Sequence, residues 1–186
     1  MSVQTARRLF NTEEYHRMAA AGILCEDDRV ELLQGEIVEM SPIGSRHVAC
    51  VNRLTQRFST LLGKRAIVSV QNPVLLGEFS EPEPDLALLR WRDDFYGEAL
   101  PRAEDVLLLV EVAQSSVETD REVKMALYAQ AGVVEVWLVD LEVEQVEVFR
   151  VPEGASYGEV QGFGRGQSVS AEAFPEAVLA VEEMIG

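Results

Sequence analysis

The stretch from Val106 to Asp140 constrains this chain most. Val106 to Val112 is a continuous apolar run, interrupted by one acid, Glu111. Ser115, Ser116 and Thr119 follow as helix N-cap candidates, and Gly132 supplies a stop. Between them Val123, Leu127 and Gln130–Ala131 fall on one side of a helix, and Val133 to Val139 is a second apolar run. Two apolar strands joined by a helix of this length predict a βαβ unit, with parallel strands and a right-handed crossover. A carboxylate set into such a strand is costly unless it is paired or bound to a metal. Glu111 is therefore where a functional reading begins.

The 186 residues suffice for one compact domain, with a core over about 29–150 and a C-terminal extension over 151–186. No apolar run approaches the roughly 18 residues of a membrane span, and the first residues lack the apolar core of a signal peptide. Cys25 and Cys50 show no metal-ligand spacing. A cytoplasmic protein with reduced thiols is expected.

Sixteen basic against 32 acidic residues give a net charge of −16, which argues against broad non-specific binding to nucleic acid or membrane. One segment departs from this balance. Between Met40 and Gly77 there is no Asp or Glu. A helix is predicted over about 44–62, with His47, Val51, Leu54, Phe58 and Leu61 facing inward. Arg46, Arg53 and Arg57 form a second stripe on it, which is either a solvated face or a contact surface for a phosphate backbone.

Elsewhere, Asn11 and Glu14 predict a capping box for a short helix, and residues 29–40 a hairpin around Gln34–Gly35. A strand over 66–76 is interrupted by Pro73. Further strands are expected at 85–89 and 142–151, a glycine-rich loop or irregular hairpin at 152–168, and a terminal helix over 174–185.

The charged residues at the ends of apolar strands form an ordered set. Asp85 follows Pro84 and opens one strand, and Glu111 ends the next. Asp120, Lys124 and Tyr128 stand at i, i+4 and i+8 on the following helix, on roughly one face. Two carboxylates with strand carbonyls suit a hard divalent cation such as Mg²⁺. A lysine beside it orients water and stabilises phosphoryl charge. Taken alone, Asp120 with Lys124 is an exposed ion pair worth about 0.3–0.5 kcal/mol. His47 reads as either a satisfied core histidine or a site residue, Glu36 as a further carboxylate or a hairpin's wet face, and Gln71 as a weaker candidate.

Three segments, ELLQGEIVEMSPIGSRH (31–47), EPEPDLALL (81–89) and LLLVEVAQSSVETDREVKMALYAQAGVVEVWLVD (107–140), resemble the Uma2 family of restriction-type endonucleases within the PD-(D/E)XK nuclease superfamily. The resemblance implies an α/β fold with a restriction-endonuclease-like αβββαβ core, its mixed central sheet flanked by helices. It implies metal ligands Asp85 and Glu111, assisted by the main-chain carbonyl of Val112, with Mg²⁺ or Mn²⁺ as cofactor. It draws His47 towards the site, with Gln114, Tyr128, Asp120 and Glu36 in support. The third position of the superfamily's E-x-K triplet is Ala113 here, and the lysine moves to the helix as Lys124. The small strand residue leaves room for the long helical one. The implied activity is metal-dependent DNA cleavage, by analogy as a homodimer. The alternatives are a non-catalytic DNA- or protein-binding module on the same fold and a hydrolase of a small phosphorylated substrate.

Overall fold

The computed structural model describes residues 7–25, 27–114 and 123–186. Helix α1 (Thr12–Ala20) starts where the sequence sets it. Asn11 Oδ1 accepts the Glu14 N–H at 2.8 Å, and the Glu14 carboxylate reaches back to the Asn11 N–H. Strands β1 (Val30–Leu33) and β2 (Glu36–Glu39) form the expected antiparallel hairpin. Helix α2 (Ser45–Leu62) buries His47, Cys50, Val51, Leu54, Phe58 and Leu62. Its inner stripe ends on Leu62. Leu61 is exposed, because the chain tightens at 63–65 to enter the sheet.

The central sheet has six strands in chain order: β3 (Ala66–Val70), β4 (Leu86–Arg90), β5 (Val106–Ala113), β6 (Glu135–Asp140), β7 (Gln145–Glu153) and β8 (Ser156–Gly164). Only β5 and β6 run parallel. Helix α3 (Met125–Gln130) connects them, so the predicted βαβ unit is present and the αβββαβ order is observed. The N-cap candidates Ser115, Ser116 and Thr119 lie outside the described residues.

Both faces of the inner strands are covered, which is why they read as unbroken apolar runs. Leu108, Val110 and Val112 of β5 pack with Trp137 and Val139 against α2, while Leu109 and Ala113 pack with Val136 and Leu138 against α3. Side chains alternate along a strand. Glu111 shares the parity of Leu109 and Ala113, so it points to the α3 side.

Three boundaries differ from the sequence reading. Strand β3 stops at Val70 because Gln71 takes a positive φ of 49°. Residues 152–168 are largely the β7–β8 hairpin, turning at Gly154. The terminal helix shrinks to α4 (Val181–Ile185), preceded by a small ladder of β9 (Ser168–Val169) with β10 (Leu179–Ala180). Pro175 disfavours helix at the residue before it, and the chain turns there.

Candidate active site

Glu111 is buried near the C-terminal end of β5, and two side chains of the following helical segment reach it. Val123 and Lys124 form a wide π-type turn leading into α3. Val123 is exposed there, and Lys124, one helical turn before buried Tyr128, points inward and is 6% exposed. The inner side thus carries Lys124 and Tyr128 rather than Val123. Lys124 Nζ lies 3.3 Å from Glu111 Oε1 and 3.2 Å from Glu31 Oε1. The Tyr128 hydroxyl donates to Glu111 Oε1. Ala113 is buried on the same face.

Asp85 comes from the neighbouring strand. The β4–β5 register pairs Leu86 with Val110, so one further step sets Asp85 level with Glu111. Asp85 Oδ2 accepts the Val112 N–H at 2.8 Å and faces His47 Nε2 at 2.9 Å. Gln71 Nε2 reaches Oδ1 at 3.4 Å. Asp85, Glu111, Val112, Lys124, His47 and Gln114 all line one cleft of about 430 Å³. Two buried polar atoms at this cleft, His47 Nδ1 and Gln114 Oε1, have no hydrogen-bond partner among the described residues.

The electrostatics show a surplus of negative charge. Burial pushes the Glu111 carboxyl up to about 8. Lys124 opposes the shift, Asp85 adds to it, the Tyr128 hydrogen bond opposes it, and Glu31 adds to it. Burial and then Glu31 also raise Glu83 above the usual carboxylate range. Burial, reinforced by Glu111, holds the Tyr128 phenol well above its ordinary value, so it stays a donor.

A stability prediction follows. Between about pH 4.5 and 8 the folded protein keeps a proton on Glu111 that the unfolded chain has released. Metal-free stability therefore falls as pH rises through that window. Urea midpoints at pH 5, 6.5 and 8 in EDTA are expected to show this slope, and Glu111→Gln is expected to flatten it.

A divalent cation fits this chemistry. It stabilises the ionised form of Glu111, which burial disfavours, and Gln114 Oε1 is a buried oxygen at the same cleft without a partner among the described residues. Among the described residues no three acid, histidine or cysteine side chains converge as a ready ligand set. A cation at Asp85 and Glu111 would complete its shell with carbonyl and water oxygens.

Other candidates lie elsewhere. Glu36 is exposed and pairs with Arg7 at 2.5 Å. Asp120 lies outside the described residues. Arg46 donates to the Leu141 carbonyl at 2.7 Å, Arg53 to the Ile185 carbonyl at 3.1 Å, and Arg57 pairs with Glu183 at 2.7 Å. The arginine stripe is thus engaged by later parts of the chain.

Glu31 escaped the sequence reading. It is 5% exposed, pairs with Lys124, and accepts the Glu83 N–H through Oε2 at 3.2 Å. Its signal matched that of Glu111, an acid within the apolar run Val30–Leu33.

The fold is that of a nuclease-like α/β protein. It matches a crystal structure titled "a putative nuclease belonging to DUF820 from Anabaena variabilis ATCC 29413", with a TM-score of 0.74 and 17% identity over 95% of this chain and 97% of that one. A family model described as "Uma2: Putative restriction endonuclease" matches residues 12–182, and the chain belongs to that family. A search of curated proteins finds no match. No helix among the described residues is long and apolar enough to cross a membrane.

Proposed function

We propose that the chain is a metal-dependent endonuclease that hydrolyses phosphodiester bonds in DNA. One observation carries this reading. Asp85 and Glu111 from adjacent strands and Lys124 from the following helical segment line the same cleft, with alanine at the strand position where the superfamily has lysine.

Asp85 and Glu111 would hold Mg²⁺ or Mn²⁺, with the Val112 carbonyl in support. Bound there, the cation supplies electrostatic stabilisation of the phosphoryl oxygens. The protein's own groups set the frame. His47 and the Val112 N–H fix the Asp85 carboxylate, and Tyr128 fixes that of Glu111. Lys124 holds a positive charge at the cleft, where it orients the attacking water and stabilises charge on the phosphorus centre.

The test is nicking of supercoiled and single-stranded circular DNA in Mg²⁺ or Mn²⁺ and in EDTA. Cleavage is expected only with metal. Asp85→Asn is expected to lower it by about 10²-fold or more and to weaken Mn²⁺ binding measured by calorimetry. Cleavage that persists in EDTA would overturn the reading.

A second reading, a non-catalytic binding module, has its own support. The net charge is −16, and the α2 arginines are occupied by the chain's own acceptors. Binding of DNA or a protein without cleavage, in a sample that also binds no Mn²⁺, would favour it.

A further inference from the structure

The amino end of α2 opens into the cleft that Asp85 and Glu111 line. This 18-residue helix begins bare. Its N-cap, Gly44, makes no side-chain cap, and the first turn contains no acid. The amides of Ser45, Arg46 and His47 precede the first intrahelical bond, from Val48 N–H to the Gly44 carbonyl at 3.1 Å. They find no acceptor among the described residues. A helix end of this kind presents free N–H donors and about half a positive charge to an anion.

A second observation stands on the same turn. The His47 imidazole is 6% exposed and lines the cleft, and its Nδ1 has no partner among the described residues. Nε2 meets Asp85, which leaves Nδ1 as the ring atom open to a bound molecule. Through a bridging water, which both donates and accepts, that atom reaches a bound oxyanion in either tautomer. Gln114 closes the other side. A Cβ at Gly44 would stand 2.8 Å from Gln114 Oε1, which also has no partner among the described residues. Either orientation of that carboxamide faces the bare helix end.

We propose that the amino end of α2 is a phosphate-binding subsite. It takes a backbone phosphate of the nucleic-acid substrate other than the one being cut. The assignment to nucleic acid rests on the nuclease reading above; the oxyanion site itself does not. The acids of the cleft oppose any anion, so inorganic phosphate alone is expected to bind weakly, in the millimolar range.

The test uses ¹⁵N-labelled full-length protein in EDTA at constant ionic strength, titrated with inorganic phosphate and with thymidine 3′,5′-bisphosphate. The amides of Ser45, Arg46 and His47 are expected to shift saturably. The bisphosphate is expected to bind at least tenfold tighter. Gly44→Asp supplies the missing cap from within the chain. It is expected to raise the melting temperature and to weaken bisphosphate binding at least tenfold. Gly44→Ala adds the same Cβ against Gln114 Oε1 without the cap, and is expected to weaken binding less than Gly44→Asp does.

Shifts absent from this turn would overturn the subsite, as would undiminished binding by Gly44→Asp. Equal affinity for the two ligands would overturn the nucleic-acid assignment. Because no cleavage is read, loss of the nuclease reading and loss of the subsite appear in different experiments.

Discussion

Lys124→Met is expected to lower metal-dependent DNA cleavage by about 10²–10³-fold, the range found when a preorganised electrostatic donor is removed from an active site. The ammonium is 6% exposed and lies 3.2 Å from Glu31 and 3.3 Å from Glu111. Its removal leaves two buried carboxyls facing one another. Breaking a buried pair in this way costs about 3–5 kcal/mol. The cost is softened here because Glu111 already favours its proton near neutral pH. Methionine fills the space of the aliphatic stem, so it separates lost charge from lost packing better than alanine does.

The variant should be assayed below its own unfolding transition, with Mn²⁺ affinity measured in parallel. Lost cleavage with retained Mn²⁺ binding assigns Lys124 to the chemical step. A wild-type rate would remove Lys124 from the machinery and with it the active-site reading.

What the sequence made legible depended on how local the cause was. Glu111 was visible because an acid inside an apolar strand is costly on any fold. Asp85 was visible through its place after proline at a strand start. Lys124 needed the helical spacing and the family resemblance together, and the wide turn at 123–124 left no mark in the pattern.

Glu31 carries the same signature as Glu111 but sits in a four-residue strand of a hairpin, where alternation does not say which face is covered. Its side was decided by residues about 50 positions away, through the Leu32–Glu81 bridge and the Glu83 N–H. Glu36, chosen instead, faces Arg7 at the exposed end of the hairpin.

The acid-free basic segment was equally legible as a gap in charge, but not in its destination. The acceptors for Arg46, Arg53 and Arg57 lie 95, 132 and 126 residues further along. Chain topology also decides which loops reach the cleft. The loop 91–105 leaves the far end of β4 from Asp85, about five strand residues or 17 Å away. The β6–β7 turn with Glu142 is the one at the cleft.

The largest stability loss is expected at Glu135, far from the proposed chemistry. Its carboxylate is fully buried at the start of β6. Oε1 accepts Trp137 Nε1 at 2.8 Å and Arg150 Nη2 at 2.7 Å, and Oε2 accepts the Glu172 N–H at 2.6 Å. Arg150 Nη2 also donates to the Ser170 carbonyl at 2.9 Å. One acid thus ties β6 and β7 to the segment that leads into β10 and α4.

Glu135→Ala strands a guanidinium, an indole N–H and a main-chain N–H at once, and is expected to cost about 3–5 kcal/mol. For a chain of this size that is roughly 6–20 °C in melting temperature. Glu135→Gln should fall between the two, because the glutamine carbonyl can still accept from Trp137 or Arg150 while its NH₂ meets the Glu172 N–H donor to donor. Replacing the pair together, as Glu135→Leu with Arg150→Met, is expected to recover much of the loss, since the desolvation of both charges disappears with them.

Urea unfolding of the three variants checks the order. A shift under about 1 kcal/mol for Glu135→Ala would mean that apolar packing of Val181, Met184 and Ile185 against α2 holds the C-terminal segment without the ion pair. Glu135 stands three residues before Leu138, the β6 partner of Glu111, on the order of 10 Å along the strand. Cleavage by the folded variant is therefore expected within twofold of wild type at low temperature. That would separate the stability network on β6 and β7 from the cleft acids carried by β4 and β5.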